Sequence, residues 1–151
     1  MRRKGRRLRD DRGTLSLFVV IMVPAVVLMA GLLVDGGIAI NAKERAADVA
    51  QQAARAGAND LDVADLRAGQ VRLAPDACAV ALAFVPRYQG IGAKPKGCLP
   101  GTTGNGQPLI TVTVTITVHS QFLGLIGFGT FPESASGSAS PVCGVTTGGQ
   151  C

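Results

Sequence analysis

TLSLFVVIMVPAVVLMAGLLV, from Thr14 to Val34, is a run of twenty-one residues without one Asp, Glu, Lys, Arg or His. As an α-helix rising 1.5 Å per residue it reaches about 31 Å, the thickness of a bilayer's hydrocarbon core. A cleaved secretory signal carries a shorter apolar region, about 7–15 residues, closed by a small-x-small site. This run is longer and passes into Asp35-Gly36-Gly37 without such a site, so it reads as a membrane anchor. Pro24, near the middle, frees a backbone carbonyl and kinks the helix, which membranes tolerate where neighbours compensate. Ala25, Ala30 and Gly31 offer small surfaces for close helix approach.

On the N-terminal side, residues 1–13 hold seven basic and two acidic side chains, a balance equal to the +5 of the whole chain. Beyond Val34 eight basic side chains meet eight acidic ones. Basic flanks stay in the cytoplasm, so the expectation is a single-pass protein of the plasma membrane, N-terminus inside and residues 35–151 outside. RRKGRRLRDDR also has the composition of a nucleic-acid patch. Its place directly before an apolar span makes orientation the better reading, and no nucleic-acid partner is expected. The twin arginines lack the motif of twin-arginine export. The bilayer is the first partner, and the arm adds attraction to anionic head groups.

On the C-terminal side 117 residues remain, enough for one small domain with modest burial. The whole chain has no Trp, one Tyr and five Phe; Ala, Val, Thr and Gly suit close helix packing and a sheet more than a deep ligand pocket. All four cysteines (Cys78, Cys98, Cys143, Cys151) follow the apolar run. Outside the cell they face an oxidising compartment, where pairing is the default. Three connectivities exist; short loops close most easily and favour Cys78–Cys98 with Cys143–Cys151. A zinc site is disfavoured, because there is no C-x-x-C pair and the sole histidine, His119, is remote from every cysteine.

From Ile38 to about Ala58 the pattern becomes an Ala-rich amphipathic helix. Ala39, Ala42, Ala46, Val49, Ala53 and Ala56 recur at 3-4-3-4-3 spacing, a heptad seam of small side chains. It packs on the protein's own domain or on partner copies, giving a homo- or hetero-oligomer; periodicity does not choose. Gly36-Gly37 is either a hinge or part of a helix running straight through. Residues 59–74 suggest a short helix or turn and a brief strand. Pro75-Asp76 opens a helix that passes Cys78 and stops at Pro86. Tyr88–Pro108, rich in Gly, Lys and Pro, reads as a loop holding Cys98.

The clearest strand follows, with Ile110, Val112, Val114, Ile116 and Val118 alternating with Thr111, Thr113, Thr115 and Thr117. That alternation makes a sheet with one buried face. FLGLIGFGTF, Phe122–Phe131, has its glycines in the wrong order for a dinucleotide fingerprint. It reads as an apolar loop lying on the helix or dipping toward the bilayer. SASGSAS, Ser134–Ser140, is a second strand before a Gly/Thr tail.

No catalytic constellation accompanies these elements, and an enzyme is not expected. His119 has no nucleophile motif beside it and reads as an edge residue. Asp60, Asp62 and Asp65 lack the spacing of a calcium loop and read as a solvated helix start. No P-loop pattern exists, and no cofactor is implied.

Residues 11–59 resemble the TadE/TadG-like proteins of bacterial Tad (tight adherence, Flp-type) pilus assembly. Arg12-Gly13-Thr14, Pro24 eleven residues after that glycine, Asp35-Gly36-Gly37 and the Ala/Arg-rich ERAADVAQQAARAGA match that pattern. The Thr/Val strand and FLGLIGFG are similar to the C-terminal part of actinobacterial members. The resemblance implies a membrane-anchored, pilin-like accessory protein for assembling or anchoring a Tad-type pilus or related secretion system. It also implies other pilus-assembly membrane proteins or pilin-like subunits as partners. In pseudopilin members a peptidase cuts after the glycine, which makes Gly13-Thr14 the candidate cleavage site. A glutamate at the fifth position then partners the new N-terminus. Here that position is Phe18, and a buried ammonium without a partner is costly. A stably anchored accessory protein is therefore preferred to a minor pilin cut after Gly13, or to an anchored binding module. The expected fold is α+β, a transmembrane helix continuing into the Ala-rich helix and packed on a small antiparallel sheet. The expected divisions are a basic arm (1–13), the span (14–34), the Ala-rich helix (35–59), an α+β domain (60–142) and a flexible tail (143–151).

Overall fold

A computed structural model describes residues 12–127 and 129–141. Helix α1 (Arg12–Ala58) has 47 residues, about 70 Å of helix, with Pro24 inside it. It passes Gly36-Gly37 without interruption, so the helix runs straight from the apolar run into the Ala-rich stretch. Its two halves have opposite environments. From Ser16 to Val34 every residue is exposed except Gly31, and Leu33 is 77% exposed. These roughly five turns of exposed, mostly Leu, Val, Ile and Met side chains make a surface suited to lipid. This part of α1 is long and apolar enough to cross a membrane.

The second half of α1 is covered. Ala42, Ala46, Val49, Ala50, Ala53 and Ala54 are buried in one core with an antiparallel sheet of β1 (Ala93–Thr102), β2 (Pro108–His119) and β3 (Thr130–Ala139), with β2 central. The inner face of β2 presents Ile110, Val112, Val114 and Ile116, none more than 2% exposed. Each such side chain contributes about 1.5–3 kcal/mol relative to exposure. The helix side of this core is mostly methyl groups, so stability depends on how closely the backbones approach. Two glycines set that approach. A Cβ at Gly137 of β3 would stand 2.6 Å from the Ala50 carbonyl carbon, and one at Gly57 of α1 would stand 2.6 Å from the Ala77 carbonyl oxygen.

Between α1 and the sheet lie two short helices. Asp62 caps α2 (Val63–Arg67), accepting from the Ala64 N–H at 2.8 Å and the Asp65 N–H at 3.2 Å. A single bridge, Leu61 to Leu73, stands where a brief strand was expected. Helix α3 (Ala77–Phe84) ends just before Pro86, as expected, and the chain continues as a 3-10 turn over Val85–Ile91. Pro86 sits in the first turn of that segment, where a missing N–H removes no intrahelical bond.

The loop expected over Tyr88–Pro108 is a correction, because residues 93–102 form β1. Pro95 and Pro100 disguise it, since proline cannot donate to a ladder. Both are tolerated because β1 is an edge strand, and its register shifts between Pro95 and Gly97. A disulfide between Cys78 and Cys98 fastens this edge to α3. The second strand, expected over Ser134–Ser140, begins earlier, at Thr130.

Gly57 packs near Ile110, at the start of β2, while Asp35 bonds to Gln121, just past its end. The central strand thus runs down α1 toward the anchor. The β1–β2 turn, closed by Thr103 N–H to Gln107 O at 2.8 Å, lies at the far end. The β2–β3 loop lies at the membrane end.

Candidate functional site

The junction between the bare and the covered halves of α1 is where the molecule concentrates its unusual chemistry. Asp35 is the first charged residue after the apolar run and is only 3% exposed. Its carboxylate accepts three successive backbone N–H groups of the β2–β3 loop. Gln121 N–H donates to Oδ1 at 2.7 Å, Leu123 N–H to Oδ2 at 2.7 Å, and Phe122 N–H reaches Oδ2 at 3.0 Å and Oδ1 at 3.3 Å. These donors open a short 3-10 turn, Leu123–Ile126, whose first N–H groups have no partner within the turn. Burial pushes the Asp35 carboxyl upward, but the N–H bonds from Leu123, Gln121 and Phe122 outweigh it and hold the group below its ordinary value. Asp35 therefore stays ionised and is fully engaged as an acceptor. It is a clamp rather than a proton-transfer group.

One turn below, Gly31 receives the Phe122 side chain. A Cβ at Gly31 would stand 2.7 Å from Phe122 Cγ and 2.8 Å from its Cβ. Glycine at 31 and aspartate at 35 lie on one face of the helix, and together they seat the loop, ring below and backbone above. The loop returns to the sheet through Ser120 N–H to Gly129 O at 3.2 Å. Beside it a groove of about 430 Å³ opens between Val34, Ile38 and Asn41 on α1 and Ile91, Ile116 and Val118 opposite.

The six seam residues divide. Ala42, Ala46, Val49 and Ala53 are buried under the protein's own sheet, while Ala39 and Ala56 are partly exposed. Gly13 and Thr14 lie in the first turn of α1. Cys78 and Cys98 are bonded to each other; Cys143 and Cys151 lie outside the described residues, as do residues 1–11 of the basic arm. His119 is exposed at the end of β2. Among the described residues no cluster of three His, Cys, Asp or Glu is placed to hold a metal ion.

The outer face of the sheet carries hydroxyls in register. Thr111 with Ser138, Thr113 with Ser136 and Thr115 with Ser134 each meet at 2.8 Å, so the threonine face consumes its own polar groups. Away from the sheet, Tyr88 O–H donates to Gln52 Oε1 at 2.7 Å, tying the 3-10 turn to the polar face of α1.

The sequence marked Gly31 only as a surface for close helix approach and Asp35 only as part of the Asp35-Gly36-Gly37 step, and neither as the seat of a loop. The available signal was a lone carboxylate at the lip of an uncharged run with a glycine one turn before it. Its meaning needs the loop, eighty-six residues further along.

No curated protein and no solved structure matches the chain. Residues 13–60 match the model of the Tad family, Flp pilus-assembly TadE/G-like proteins. The matched segment takes in α1 from its first turn to its end, with the seam, Gly31 and Asp35. Over residues 13–60, and so over nearly the whole of α1, the chain is similar to the TadE/G-like proteins of Flp pilus assembly.

Proposed function

We propose that the protein is a stably anchored accessory component of a Tad/Flp-type pilus or related secretion system. It stands in the plasma membrane with the basic arm in the cytoplasm and residues 35–151 on the outer side. The observation that carries this reading is the unbroken α1, bare over its apolar run and covered beyond Asp35. A movement of the anchor is transmitted directly to the domain, because no flexible linker separates them. Four of the six seam residues are already engaged by the protein's own sheet, which leaves the bare apolar half and the charged side of α1 (Lys43, Glu44, Asp48, Arg55) for other membrane components of the machinery.

The rival, a minor pilin cut after Gly13, is disfavoured by Phe18 at the fifth position beyond that bond. Mass spectrometry of the chain purified from cells that make the pilus separates the two. An intact residue 1–13 arm is expected; a chain beginning at Thr14 establishes the pilin instead. Impermeant thiol labelling after reduction tests the orientation, with modification of Cys78 and Cys98 in intact cells as the expected result.

A further inference from the structure

We propose that the β2–β3 loop is a membrane wedge, in which Phe122 enters the acyl region of the outer leaflet beside the anchor while Asp35 caps the loop backbone. The inference rests on the membrane-anchored reading of α1 and goes beyond it. Phe122 packs on Gly31, which lies three residues inside the apolar run that ends at Val34. At 1.5 Å per residue the contact is about 4–5 Å below the edge of the hydrocarbon, in a core about 30 Å thick. Phe122 is 43% exposed, and the residues one turn from Gly31 on α1 (Val27, Leu28, Val34) are more than 45% exposed, so apolar surface continues from anchor to loop.

An irregular loop at that depth meets a specific difficulty. Backbone N–H groups facing hydrocarbon have no water to bond, which is why open loops are excluded from lipid unless their polar groups are satisfied internally. Here the three N–H groups at the tip, those of Gln121, Phe122 and Leu123, all end on the Asp35 carboxylate. Gly127 N–H returns to Gly124 O at 3.3 Å. A carboxylate at the lip of an apolar run, taken from water by a loop that needs acceptors, is what a lipid-facing turn requires. An aqueous loop would bond water at no cost. The partner is therefore the acyl and upper head-group zone of a bilayer, and the consequence is that the domain is held at a set height and rotation against the membrane.

The chain has no tryptophan, so single indoles report cleanly. The full chain is reconstituted in phosphatidylcholine vesicles whose acyl chains carry bromine near the glycerol or, in a second preparation, near the chain end. Phe122→Trp is the test, with Leu123→Trp as a second position in the same loop. Leu28→Trp reports the anchor, and Leu99→Trp, 71% exposed on β1, reports the remote sheet. The Phe122→Trp or Leu123→Trp indole should lose emission chiefly to the shallow bromines and shift to the blue. The Leu28→Trp indole should be quenched by the deeper ones, and the Leu99→Trp indole by neither. Quenching at Leu28→Trp without quenching at either loop position overturns the wedge and leaves the anchor standing. No quenching at Leu28→Trp overturns the anchor and the wedge together.

Discussion

Removing the Cys78–Cys98 bridge tests how β1 is held. The bridge closes a segment with a sequence separation of 20, joining α3 to an edge strand that contains two prolines and a register shift. Closing a loop of that length in the unfolded chain is worth about 3.3 kcal/mol at 25 °C in the chain-entropy treatment. A domain this small loses about 4–8 °C of melting temperature per kcal/mol, so the expected fall is roughly 13–26 °C. The double variant Cys78→Ala/Cys98→Ala is made in a Cys143→Ser/Cys151→Ser background, which prevents new pairings. Tyr88 is the only tyrosine and no tryptophan masks it, so its emission follows unfolding in urea. Its ring lies 5.8 Å from Phe84, next to the stapled elements. A loss below about 1 kcal/mol would refute the reasoning, since the paired strand would then hold its place without the covalent bond.

Two further outcomes follow from the clamp and from the close-packed glycines. Asp35→Asn replaces one acceptor oxygen with a donor and should speed amide exchange at Gln121, Phe122 and Leu123 while exchange on β2 is unchanged. Because the folded carboxyl lies below its ordinary value of 3.8, the clamp is at full strength above that pH. It weakens only as the pH falls through the lower folded value, so loosening of these amides at neutral pH in the native chain would contradict it. Gly137→Ala forces a methyl against the Ala50–Gln51 backbone and should cost about 1–3 kcal/mol, whereas Gly101→Ala, with open space around it, should fall within about 0.5 kcal/mol of the parent in the same urea titration.

Elements dictated by local pattern were legible in the chain itself. An uncharged run as long as a bilayer's hydrocarbon core is thick, a 3-4 repeat of alanines and a strict aliphatic/Thr alternation each have one regular structure that suits them. Of the residues that alternate in β2, Ile110, Val112, Val114 and Ile116 are buried, and Thr111, Thr113 and Thr115 meet serines across the ladder. β1 was not legible. Its prolines and glycines carry a loop's signature, and only the neighbouring β2 and the bridge to Cys78 make an edge strand of them. The heptad of alanines left its own partner open, because periodicity names a face and not what covers it; the sheet fills it with Gly137 and the β2 aliphatics.

What the chain alone determined is therefore the anchor, the class of fold and the central strand, all of which depend on contacts between near neighbours or on solvent preference. The membrane junction was decided only in three dimensions. Asp35 and the Gln121–Leu123 backbone are far apart in sequence, and an acceptor's partners are set by which N–H groups the sheet delivers to it. A lone carboxylate at the end of an apolar run has no meaning until a loop of orphan donors is folded down upon it.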